Sequence, residues 1–287
     1  MSRFLPSHFF TAIVSNGTAV QTKTKGGCGG VDDCLAKLPS CLEGKTVAFV
    51  GNSIFRGLYF TVNTILRPNI STSYKGVHWM NRESQKLLCG KDQSWPPKPS
   101  CTSHVPGTNA NTTLINTWTQ QLEEVVQHLN MIFQEYSPDV VLLNVGMGHF
   151  SNQAQPVWEQ HLKDTWPNLT SLIEPYFETQ NPSAKLLWSP VFHFDEQKCT
   201  NKRINNSVVD LWNSRLGQHL VDWQKRKWFS WLSSQSGIVD TALGLDTGTN
   251  TTLANGDNHL LLGMDDWIHP NGAASLAMVA DLARNIC

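Results

Sequence analysis

The feature that most constrains this chain is an alternation. Short, almost continuously apolar runs give way, again and again, to stretches with helical spacing. TVAFVGN (46–52) is rich in β-branched residues and ends on glycine and asparagine. Directly after it, SIFRGLYFTVNTIL sets Ile54, Leu58, Val62 and Ile65 on one helical face. DVVLLNVGMG (139–148) and AKLLWSPVF (184–192) read as further buried strands, and GIVDTALG (237–244) as a possible fourth. Helices are expected over 114–136, over 158–177 with an interruption at Pro167, over 204–234, and at the C-terminus in PNGAASLAMVADLARNI. Strands that are apolar on both faces and alternate with helices imply a mostly parallel sheet covered on both sides. The fold class is therefore α/β, in three layers.

Residues 1–40 form a leader. SNGTAVQTKTKGGCGG (15–30) has no period and reads as flexible. Residues 41–287 then form one domain, because no Gly- or Pro-rich linker divides them and 287 residues suffice for one sizeable core. DDCLAKLPSCLEGK is a helical or looped approach to the first strand, and 68–113 is a long polar excursion. The run FLPSHFFTAIV (4–14) follows Arg3, but Pro6, Ser7 and His8 break it, which favours an ordinary N-terminus over a cleaved signal or anchor. No run approaches the roughly 20 apolar residues of a spanning helix.

Charge narrows the partners. A net charge of −1 offers no basic field for nucleic acid or an anionic membrane. The 7 cysteines show no C-x-x-C pairing, which argues against a structural metal. Cys89 and Cys101 bracket GKDQSWPPKPS, a loop suited to a disulfide staple, and an odd count leaves one thiol over. Sequons at Asn16, Asn69, Asn111, Asn168, Asn205 and Asn250 point with the cysteines to a secretory lumen or the cell exterior. No cofactor is expected: no Walker-type motif occurs, and GGCGG lacks a preceding strand.

Ser53 lies where the first strand turns into a helix. In open parallel sheets ligands bind beyond the carboxyl ends of the strands, and a helix N-terminus supplies N–H groups for a developing oxyanion. The ordinary account of such a serine is helix capping. The segment Asp266-Trp267-Ile268-His269-Pro270 shifts the balance. A hydroxyl needs a base to lose its proton, and the base needs a carboxylate to orient it. Asp266 and His269 on one tight loop could set the carboxylate at Nδ1 and leave Nε2 for Ser53; Asp265 is a rival orienter.

These two blocks resemble the SGNH/GDSL hydrolase superfamily, with its G-D-S turn and terminal D-x-x-H-P. Within it, VAFVGNSIFRGLYFTVNTILRP is most similar to the lumenal domain of the PC-esterase group, which includes sialate, capsule-polysaccharide and plant wall-glycan O-acetyltransferases. Gly51, Ser53, Arg56, Leu58, Tyr59 and Phe60 carry the likeness. It implies a three-layer SGNH-like domain whose Ser53, His269 and Asp266 form an acyl-enzyme on a glycan ester, with water or a sugar hydroxyl as acceptor and an acetyl donor as a further partner. Two departures stand out: Asn52 replaces the family aspartate, and Gly148 stands where many members carry an oxyanion asparagine. Donors would then come from Ser53, from Gly76, or from the His149 side chain, and Arg56 would hold an acidic or hydroxyl-rich glycan. A lipase or carboxylesterase, and a silent glycan-binding protein of the same fold, are the competing readings.

Other residues weigh less. His78, His104 and His193 are scattered without ligand spacing. Lys225-Arg226-Lys227 reads as the solvated face of a long helix, and several of the 11 tryptophans fall at core spacing.

Overall fold

The computed structural model describes residues 28, 31–67, 100–194, 199, 204–232 and 272–287. Helix α1 (Val31–Leu42) leads into strand β1 (Thr46–Gly51), and helix α2 (Ser53–Leu66) follows at once. Next come β2 (Ser100–Val105), β3 (Thr112–Trp118), α3 (Leu122–Tyr136) and β4 (Val140–Leu143). Two helices, α4 (Met147–Asn152) and α5 (Gln155–Pro175), precede β5 (Lys185–Trp188). Helix α6 (Asn206–Leu220), β6 (Phe229–Trp231) and α7 (Gly272–Ile286) complete the described elements.

The six strands form one sheet in the order β2-β3-β1-β4-β5-β6. All neighbouring pairs are parallel except β2 with β3. This is the expected three-layer α/β arrangement. After β1 the chain crosses to β3 on one side, and after β3 it returns past β1 to β4 on the other. Parallel crossovers are right-handed, so reversing the direction sends α2 and α3 to opposite faces. One layer joins α1, α2 and α7; the other joins α3, α5 and α6. The crevice that such a reversal opens lies at the carboxyl end of β1, where Ser53 begins α2.

The structure corrects several expected elements. Residues 114–136 are not one helix: Thr112–Trp118 is a strand beside β1, in register Thr46 with Thr113, and the helix starts at Leu122. Part of the polar excursion is β2, which pairs antiparallel with β3. Pro167 does not interrupt α5. It lies on the exposed face, as does Lys163, whose carbonyl it leaves without an amide partner, so water can take that bond. The helix expected over 204–234 ends at Leu220, and Phe229–Trp231 adds an edge strand to β5. Lys225, Arg226 and Lys227 are exposed in the turn between them, with Lys225 on Asp222 and Arg226 on Glu178. The proposed strand at 237–244 lies outside the described residues.

Two disulfides, Cys28–Cys34 and Cys41–Cys287, secure the chain ends. Cys101 is also disulfide-bonded. No described helix is long and apolar enough to cross a membrane.

Candidate active site

Helix α2 begins because Asn52, in extended backbone at φ −80°, turns its Oδ1 to accept the Ile54 N–H at 3.0 Å. Asn52 is buried and the Arg56 N–H donates to its carbonyl. The capping role that offered the ordinary explanation of Ser53 therefore belongs to Asn52. The aspartate-to-asparagine departure keeps the one atom the cap uses. Ser53 is the first residue of α2, half-buried at the sheet's carboxyl edge. Arg56 sits one turn further on, and burial lowers its guanidinium pKa from the ordinary value.

The loops after β3 and β4 flank this turn and are tied to β1 and to each other. The Thr119 N–H donates to Gly51 O at 2.8 Å, and the Asn144 N–H donates to Val50 O at 3.0 Å. Across the end of β1, the Gly148 N–H donates to Gln120 O at 3.2 Å. A side chain at Gly148 would drive into the Gln120 backbone, so only glycine fits. Gly146 has φ +137°, and a Cβ there would enter the Trp212 indole. The Gln120 and Gln121 N–H groups both donate to Glu124 Oε2, at 2.7 and 3.2 Å.

His149 is fully buried and stacks on Trp212, with ring centroids 5.2 Å apart. Its Nε2 accepts the Leu122 N–H at 2.8 Å, so that nitrogen carries no proton, and Nδ1 faces Gln153 Oε1 at 3.4 Å. Burial holds its pKa below the usual histidine value, against the opposing pull of Glu123. The Gly148 N–H is thus committed to Gln120, and the His149 ring to Leu122 and Gln153. Gly76, Asp265, Asp266, His269 and His78 lie outside the described residues.

Two histidine arrangements went unforeseen. His193 Nε2 lies 2.7 Å from Asp210 Oδ1, a His–carboxylate pair beyond the end of β5. It is the middle rung of a lacing. Asn206 exchanges bonds with the Phe194 backbone, and Asn213 does so with Val191. Positions 206, 210 and 213 recur at helical spacing, a signal the sequence did carry. The pair pins the loop after β5 to α6. The second arrangement joins Glu123, His149 and His161, whose candidate ligand atoms lie within 4.8 Å of one another. His161 Nδ1 meets Glu123 Oε1 at 2.9 Å. A metal would need the His149 lone pair, and the Leu122 N–H already takes it. The donor set does not fit an ion.

No protein-family model and no curated protein matches the chain. Among solved structures it is similar to a protein named as an acylhydrolase from Bacteroides fragilis, at 16% identity and TM-score 0.39 over 84% of each chain. It is also similar to a protein named as a GDSL-like lipase from Parabacteroides merdae, at 13% identity and TM-score 0.39 over 85% of this chain and 97% of the other.

Proposed function

We propose that the chain is a serine-dependent acyl-ester enzyme acting on O-acylated glycans, as an O-acetylesterase or an O-acetyltransferase. What carries the reading is the turn after β1: Asn52 caps the helix, so Ser53 stands at the crevice of a parallel sheet without being the cap. In the proposed reaction Ser53 Oγ attacks the ester carbonyl while His269 takes its proton. Asp266 orients His269 and stabilises the imidazolium. The tetrahedral oxyanion faces the Ser53 N–H at the N-terminal end of α2, where the helix dipole favours negative charge. Collapse breaks the ester C–O bond, and His269 returns its proton to the departing alcohol. Water or a sugar hydroxyl then attacks the acyl-enzyme, with His269 as base again. Arg56, one turn from Ser53, would hold the acceptor or an acidic glycan.

The silent, glycan-binding reading also has an observation in its favour. Among the described wall amides, Thr119, Gln120, Gln121 and Gly148 all donate to internal partners. Losing one oxyanion donor typically costs about 10²–10³ in rate, so a site served by α2 alone would be slow.

Acetate release from, and transfer to, a panel of glycans decides between these readings, with longer-chain esters separating a lipase or carboxylesterase. Wild type should turn over, and Ser53→Ala and His269→Ala should each lose at least about 10³-fold. Equal rates in all three would end the triad proposal. His193→Ala should unlace the loop after β5 and lower stability while leaving turnover measurable, which separates His193 from a catalytic base.

A further inference from the structure

We infer that His149 is a positioning residue: its unprotonated Nε2 clasps the N-terminus of α3 and thereby fixes the wall that the β3 and β4 loops build beside Ser53. The inference rests on the reading of Ser53 as nucleophile. The wall's two halves come from strands on either side of β1. They meet through the hydrogen bonds from Gly148 N–H to Gln120 O and from Leu122 N–H to His149 Nε2, and Glu123 Oε2 lies 3.7 Å from the same Nε2. The first needs a glycine. The second needs an acceptor at the tip of a flat ring, because Trp212 occupies the face of His149 and holds it in plane at 20°. Trp212 is itself fixed, its Nε1–H donating to Val145 O at 3.0 Å. Asparagine and aspartate are too short to span that gap, and phenylalanine stacks without accepting. Histidine alone combines both properties.

The clasp fails on protonation. An imidazolium would aim an N–H at the Leu122 N–H and at the positive end of α3. The charged and titratable groups facing His149 are Glu123 and Glu124 on α3, which favour the proton, and His161 on α5, which opposes it. Gln153 on α4 and Trp212 on α6 are neutral. Burial decides the contest in favour of the neutral ring.

The test pairs kinetics with a readout that does not need turnover. His149→Gln keeps an acceptor near the Nε2 position; His149→Phe keeps only the stack. In folded protein, His149→Phe should lower kcat by about 10–100-fold with KM within about 3-fold, since a misplacement of about 1 Å beside the reacting atoms costs on that order. His149→Gln should recover most of that loss. The ¹⁵N shifts of the wild-type ring should show the Nδ1–H tautomer, and the Leu122 amide should exchange slowly in wild type and His149→Gln but fast in His149→Phe. A wild-type kcat in folded His149→Phe, equal losses in the two variants, or a protonated Nε2 would each overturn the proposal. If the ring behaves as described but wild type turns over no ester, the nucleophile reading fails and takes the positioning role with it; the clasp would then be purely structural.

Discussion

The two helical layers that sandwich the sheet are secured by different means. The layer of α1, α2 and α7 brings together elements from opposite ends of the chain, and a disulfide spanning 246 residues, Cys41–Cys287, closes it. The layer of α3 to α6 is contiguous in sequence and uses aromatic packing. Trp212 lies against Phe150, Trp158 and His149, and Trp166, Trp188, Trp223 and Trp228 form a second group beside it. Closing a long loop carries a large entropy cost, which a crosslink removes from the unfolded state. Neighbouring helices meet cheaply and need only complementary shapes. Ser53 stands at the seam, on α2 of the crosslinked layer, while its wall belongs to the aromatic one. That division predicts that each layer can be damaged separately.

Trp212→Ala should be the most damaging of the structural changes. It empties a fully buried site and removes the face on which His149 rests, so a loss of about 3–5 kcal/mol is expected from denaturant titration. Hydrogen exchange should show the loosening in 119–122 and 144–150 before it appears in α7. The double change Cys41→Ser and Cys287→Ser should cost about 2–5 kcal/mol, with faster exchange in α1 and α7 and an unaltered wall. If both variants loosen the same residues, the layers are not independent. Asn52→Ala removes the α2 cap at a cost of about 1 kcal/mol, whereas Asn52→Asp keeps the acceptor and should match wild type in stability.

The smallest effect is expected from acid. His149, His128 and His219 are all held below their ordinary pKa, chiefly by burial. Well above about 6.5 each is neutral in both folded and unfolded states and pH has no influence through them. As pH falls through that value the unfolded chain takes up protons first, so stability declines until pH passes below the folded-state values. Thermal melts across that window should show the decline, and His149→Gln should flatten part of it. A wild-type profile that stays level would contradict the burial argument.

Much of the sheet was legible in the sequence because its central strands are buried on both faces. TVAFVG, VVLL and KLLW needed no knowledge of their partners to be read as strands, and α2 begins and ends where its periodicity does. β3 was hidden because Leu114, Trp118 and Leu122 fall by accident at helical spacing, and only Thr119-Gln120-Gln121, with no glycine or proline, separates it from α3. Its β-branched Thr112, Thr113, Ile115 and Thr117 were the contrary signal, and what decides is pairing with β1, a contact distant in sequence. At the site, the Ser53 turn could be read from residues alone. His149 could not be read as an acceptor, because its role depends on the Leu122 amide and the Trp212 face, which three different loops and helices bring together.

The chemistry proposed for the site turns on Ser53 acting as a nucleophile. Mass spectrometry of the folded protein after reaction with a fluorophosphonate tests it most directly. One covalent adduct is expected, on the peptide carrying Ser53, and none in Ser53→Ala. An adduct on another serine with Ser53 unmodified, or no adduct on folded wild type, would contradict it.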